Sequence, residues 1–381
     1  MVAGSVAVCG TIAATPHQGG AAWAVLQYLL GLRGLGWEVA FVEVWPHTDE
    51  PEPAGARVET GVRYLRSVAE QFGLGDRWAV FHPGGKVSGS RPVADAVGSS
   101  DLLVDVAGMA WGLPQSRERA AQVPIRLYLD LDPGFVQLWH ADGIEMHLDG
   151  HTHFATLGDR IGTDGSPIPD CGRSWIATLP PVVLDRWPIA EQRPTLGLTT
   201  VGNWRSYGAV RRGSIRYGVK AHTARALAEL PTMVDVAVEP ALAIHADEVE
   251  DLAWLRRHGW SVAQPADVAD TPDRYASFVR RSWAEIGIAK EGYAVGDTGW
   301  FSDRSACYLA SGRPVIALDT GFGRRVPTGH GLLAFDDVAG AADAVRRVAS
   351  DYPGHRAAAR AIAEEFLDAD VVLGALLDSL S

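Results

Sequence analysis

The chain has 381 residues, 47% of them hydrophobic, and sets 34 Lys and Arg against 46 Asp and Glu for a formal net charge of −12. One core rarely grows beyond about 250–300 residues, so two domains are expected, and no tract is disordered by composition. No apolar run approaches the roughly 18 residues of a membrane span, the N-terminus lacks the basic region of a signal peptide, and the negative charge argues against nucleic acid as a partner. Cys9, Cys171 and Cys307 are scattered without disulfide or zinc spacing, which reads as a reducing cytoplasm.

In chain order, 6–10 is a first apolar strand. A helix over 21–34 follows, with Ala24, Leu26, Leu29, Leu30 and Leu32 as its core face and Gly34 and Gly36 as its stop. Residues 38–44 form a second strand, 58–72 a helix, and 101–106, 125–131 and 154–157 further strands. Such alternation predicts a parallel sheet with ligands beyond the carboxyl ends of its strands. The loops to search are therefore 11–20, 107–114 and 130–135.

A proline-rich stretch, 178–195, marks a linker. The pattern then restarts: strand 195–202, helix 223–230, strand 233–238, helix 248–258, strand 260–263 and helix 274–283. Strand 315–318 and helix 339–350 follow, and a last helical stretch, 355–380, is interrupted near 368–370. The expected division is an N-terminal domain over 1–185, a C-terminal domain over 195–362 and a final helix over 363–381. The fold class is α/β with two doubly wound, Rossmann-like domains.

Several loops carry candidate chemistry. Ser302-Asp303-Arg304-Ser305 opens a helix of small apolar residues that Ser311-Gly-Arg-Pro314 ends. Free amides and the dipole at a helix start favour an anion, and Arg304 adds a planar fork of donors suited to a diphosphate. Thr15-Pro-His-Gln-Gly-Gly20 lies between the first strand and the first helix. Gly19 and Gly20 let backbone approach a ligand, and His17 is a residue type suited to general-base work near neutral pH; the plainer reading is a tight turn beside a solvated histidine. Asp132, in Asp130-Leu-Asp-Pro-Gly134, is a second candidate base, although an Asp before Pro is commonly structural. His140, His147, His151 and His153 lack a specific ligand spacing, so no metal is expected. A phosphate loop fails at Val80 and a dinucleotide fingerprint fails at Val326.

The layout of 283–335, with its Ser311-Gly-Arg-Pro-Val-Ile316 run, resembles the donor-binding segment of GT-B glycosyltransferases. The resemblance implies two Rossmann-like domains facing across a cleft and a terminal helix crossing back onto the first. It implies a nucleoside-diphosphate sugar as donor, Arg205 and Lys220 as a basic pair on its phosphates, and Asp319 with Thr320 on the donor sugar. The loop Pro327-Thr-Gly-His-Gly331 would close over that sugar. Retaining members often carry two glutamates flanking a seven-residue gap just before the Gly-x-Pro turn. Here Cys307 stands about where the second would fall and no glutamate occurs between Gly292 and Pro314, which favours inversion. The expected activity is transfer of a sugar to a small-molecule acceptor, in natural-product (antibiotic) biosynthesis, with no cofactor. The expected partners exclude nucleic acid and a membrane span, and a homodimer is compatible with them. A nucleotide-sugar 2-epimerase and a non-catalytic transferase-like partner protein are the alternatives.

Overall fold

The first half is built from short apolar strands separated by helices and tight turns: Ser5–Cys9 (β1), Glu38–Val44 (β2), Trp78–Phe81 (β3), Val87–Gly89 (β4), Leu102–Val106 (β5), Ile125–Asp130 (β6), His153–Thr156 (β7) and Trp175–Ala177 (β8). The computed structural model, which describes residues 3–45 and 54–380, orders them β4-β3-β2-β1-β5-β6-β7-β8. All neighbours are parallel except β3 and β4. Ala7, Val8 and Cys9 in β1 are fully buried because helices cover both faces of the sheet, which is why this strand reads as an unbroken apolar run. Strand order reverses between β1 and β5, so the loop after β1 lies at the switch point where such sheets hold ligands.

The second half contributes Leu196–Thr199 (β9), Val201–Asn203 (β10), Val210–Arg212 (β11), Ile215–Tyr217 (β12), Ala241–Ala243 (β13), Ser282–Gly287 (β14), Val315–Leu318 (β15) and Leu332–Phe335 (β16). Its main sheet is parallel in the order β16-β15-β14-β9, β10 pairs with β13, and β11 and β12 form a hairpin. Two expected strands dissolve into irregular edge. Of 233–238 only Val238 bridges to β9, and of 260–263 only Ala263 bridges to β13. Pro240, which has no amide to donate, interrupts the ladder. The backbone still pairs there, Leu198 N–H donating to Ala237 O at 2.7 Å and Ser261 N–H to Val238 O at 2.9 Å. Leu230–Met233, with proline at its start, is a short helical turn, and the preceding helix ends at Ala226.

The helices Gly19–Gly34, Val249–Arg257, Pro272–Arg281 and Val338–Ser350 fall where their apolar periodicity put them. After Tyr352–Ile362 a wide π turn, Ala363–Leu367, redirects the chain into Ala369–Asp378. This last helix lies against Gly19–Gly34 so closely that a Cβ on Gly31 would fall 2.5 Å from Leu373 Cδ1. Val182 N–H donates to Leu367 O at 2.7 Å and Ala369 N–H to Val182 O at 2.9 Å, so the two passages of chain between the halves are bonded to each other. The architecture is thus α/β, two Rossmann-like units facing across a cleft with the final helix returned to the first. Among the described residues no helix is long and apolar enough to cross a membrane.

Candidate functional site

The loop after β1 is fixed by a buried carboxylate. Glu43, near the end of β2, accepts the amides of Ile12, Ala13 and Ala14 at 3.0, 2.7 and 2.7 Å. Burial raises its carboxyl to about 7 despite those three donors. The loop then presents His17 in the left-handed region, φ 62°. The imidazole is exposed, with its ring centroid 5.4 Å from that of Tyr64.

The helix that follows is pinned to the second unit. Gly19 N–H donates to Ala269 O at 2.9 Å, and a Cβ on Gly19 would lie 2.2 Å from Thr271 O. Glycine is required at 19 because two backbones touch there, and its amide is taken by Ala269 O. Trp23 Nε1–H to Pro272 O at 2.9 Å and Tyr64 O–H to Asp270 O at 3.1 Å complete the junction.

A cleft of about 460 Å³ opens between the units. From the first it is lined by His17, Gly19 and Gly20, and from the second by Lys220, Lys290, Asp303 and Arg304. Three cations of the second unit thus meet in one place. Lys220 starts the helix Lys220–Ala226, Lys290 follows β14, and Arg304 lies in the first turn of the helix Asp303–Ala310. Arg304 is buried; its Nε donates to Glu285 Oε1 and its Nη1 to Val201 O at 3.0 Å. Burial opposes its charge, but the Glu285 carboxylate more than offsets this and holds the guanidinium protonated. Lys220 is lowered from 10.5 to about 7, first by burial and then by repulsion from Arg304 and Lys290. Lys290 is lowered too, by burial, with the Asp132 carboxylate acting against the shift. Cations held together against their own repulsion form a site for a multiply charged anion.

Other expected residues stand elsewhere. Arg205 does not line the cleft: its guanidinium pairs with Glu248 and approaches Asp251 at 3.9 Å, so its charge is met by surface carboxylates. Asp132 is engaged by Tyr207 O–H, Tyr293 O–H and the Lys290 ammonium, the last at 2.7 Å, and a carboxylate with those donors is not a free base. Asp319 Oδ1 accepts the Gly321 amide at 2.7 Å and buried Thr320 donates to Trp300 O at 2.6 Å; both support the turn, and neither lines the cleft. Ser302 Oγ caps its helix through the Arg304 amide at 3.2 Å. Ser302 and Ser305 are 4% and 2% exposed, packed into the second unit, so only Asp303 and Arg304 of that segment reach the cleft. The Pro327–Gly331 loop is tied to the Tyr352–Ile362 helix, Gly331 N–H donating to His355 Nδ1 at 3.0 Å. His151 is buried with Nε2 3.0 Å from Asp105, and among the described residues no group of three His, Cys, Asp or Glu could hold a metal ion.

Lys290, Glu43 and Glu285 escaped the sequence reading. Lys290 carried one usable signal, a lone cation directly after an apolar run that ends a parallel strand. The two glutamates sit inside strands, and nothing local marks which backbone or guanidinium they meet.

No family model matches the chain, and no curated protein matches it in sequence. Solved structures do resemble it over its whole length. It is similar to an alpha-glucosyltransferase in complex with UDP and a DNA 13-mer containing an HMU base, at TM-score 0.65 and 9% identity, with 100% of each chain covered. It is similar to the pneumococcal O-GlcNAc transferase GtfA in complex with UDP and GlcNAc, at TM-score 0.58 and 9% identity, covering 99% of this chain and 98% of that one. It is also similar to AviGT4, a glycosyltransferase involved in avilamycin A biosynthesis, at TM-score 0.54 and 14% identity, covering 99% and 97%. At such identities the likeness establishes the fold, which is that of GT-B glycosyltransferases. It also overturns one expectation. Four structures of alpha-glucosyltransferases with this fold hold DNA, so a partner set restricted to a small-molecule acceptor, with nucleic acid excluded, does not stand. Net charge was the wrong warrant, because it sums a whole surface while a partner meets only one part of it.

Proposed function

We propose that the protein is a glycosyltransferase that moves a sugar from a nucleoside-diphosphate sugar to an acceptor hydroxyl. The observation that carries this reading is the meeting of Lys220, Lys290 and Arg304 in a cleft whose opposite wall presents His17. The three cations hold the diphosphate and stabilise the charge that grows on it as the glycosidic bond breaks. His17 takes the acceptor proton, and a single displacement inverts the anomeric carbon. Asp303 is the carboxylate among the cleft-lining residues; it belongs to the same helix start as Arg304 and is assigned to orientation of the donor. UDP is held by both the alpha-glucosyltransferase and GtfA, which supports UDP as the carrier. One neighbour acts in antibiotic biosynthesis and others hold DNA, so the acceptor is defined here only by its hydroxyl.

The test is calorimetric titration with UDP, GDP and TDP, followed by product analysis with the matching nucleotide sugars. Binding of one diphosphate, with slow donor hydrolysis in the absence of acceptor, is the expected result. Conversion of the donor sugar to its epimer would replace the reading with an epimerase, and absence of all binding would replace it with a non-catalytic role. The anomeric coupling in the NMR spectrum of the product decides between inversion and retention.

A further inference from the structure

Asp132 is an expected base whose carboxylate is instead engaged by three donors, one of them a cation from the other unit. It belongs to the loop after β6 in the first unit and meets Lys290, 158 residues away, after β14 in the second. The ammonium of Lys290 has three hydrogens. One goes to Asp132 Oδ2 at 2.7 Å and one to the Tyr207 hydroxyl, which leaves one for the cleft that Lys290 lines. Tyr207 O–H also donates to Asp132 Oδ2, and Tyr293 O–H donates to Oδ1. The rings of Phe135, Tyr207 and Tyr293 have centroids 5.0, 4.4 and 5.2 Å from Nζ. The aromatic faces favour the cation, burial disfavours it, and the counter-charge of Asp132 fixed beside it keeps both its charge and its direction.

We propose that Asp132 is a positioning residue that reaches across the cleft and holds the Lys290 ammonium ready for the donor diphosphate, which couples donor binding to the approach of the two units. The inference rests on the donor-site reading above. Tyr207 and Tyr293 serve it by fixing both carboxylate oxygens. The diphosphate takes the remaining hydrogen of Lys290 without displacing Asp132. The arrangement belongs to the facing units, since one partner comes from each.

A double-mutant cycle tests this, using calorimetric affinity for whichever of UDP, GDP and TDP binds the parent protein. Asp132→Asn keeps the shape and removes the charge, and should weaken binding by about tenfold or more, the worth of a charge-assisted contact. Lys290→Met should weaken it comparably. The double variant should bind no worse than Lys290→Met alone, because Asp132 acts only through Lys290. Losses that multiply in the double variant, or parental affinity in Asp132→Asn, would overturn the inference while leaving the donor site in place. Failure of the parent to bind any of the three diphosphates would overturn the donor site itself. If Asp132→Asn does not fold, Tyr293→Phe keeps the ion pair and removes one hydrogen bond. It should weaken binding by about threefold, and that loss should vanish in the Lys290→Met background. A loss that persists there would mark a purely structural role.

Discussion

Donor binding should draw a proton from solution, and Lys220 is the group that takes it. Its amine is lowered from 10.5 to about 7, by burial first and by the charges of Arg304 and Lys290 next. The unfolded chain therefore keeps this proton up to about 10.5, whereas the folded, unliganded chain gives it up near 7. Between these values the unfolded state binds more protons, so this group makes stability rise with pH across that window. Below about 7 the lysine is charged in both states and the full penalty is felt. That penalty is at most roughly 5 kcal/mol, and water in the open cleft screens part of it. A bound diphosphate supplies the missing counter-charge and returns the amine toward its ordinary value. At about pH 8.5 a nucleoside diphosphate is already fully ionised, since the second phosphate ionisation lies near 6. Uptake at that pH must therefore come from the protein. Calorimetry in buffers of differing ionisation enthalpy should report close to one proton taken up per diphosphate, and Lys220→Met should lose most of it. Binding with no uptake at that pH, or undiminished uptake in Lys220→Met, would refute the reasoning.

Three further outcomes follow from single residues. His17→Ala should lower turnover by about 10²–10⁴-fold with little change in donor KM, measured by product formation; parental turnover would remove His17 as base. Glu43→Ala leaves the amides of Ile12, Ala13 and Ala14 without their acceptor. It should cost about 2–4 kcal/mol in chemical denaturation and turnover with it, because the same loop carries His17. Asp319→Asn keeps the side-chain oxygen that accepts the Gly321 amide. Its donor KM and melting temperature should stay near parental, and a large rise in KM would restore Asp319 to the donor sugar.

Much of the fold was legible because it rests on local patterns. Residues 38–44 and 315–318 were bounded correctly, since buried parallel strands are continuous apolar runs ended by turns. The helix start at Ser302 was marked by a capping residue, and the stop after Ala310 by Ser-Gly-Arg-Pro. The misread strands at 233–238 and 260–263 are those whose pairing depends on a proline-broken neighbour, which a pattern of period two does not register.

The sequence by itself determined the alternation of strands and helices, and with it the edge of each sheet on which chemistry gathers. It also determined which loops open there, so His17 and Arg304 were in view, while Lys220 came only from the family resemblance. Only the tertiary structure decided which charges meet. The resemblance put Arg205 ahead of Lys220 on the phosphates, but Glu248, 43 residues on, neutralises Arg205 at the surface. Asp132 looked like a base, but Lys290 claims it from 158 residues away. The physical reason is that an element's hydrophobic period is written within a dozen residues, whereas the state of a charge depends on its desolvation and on partners that folding brings from anywhere in the chain.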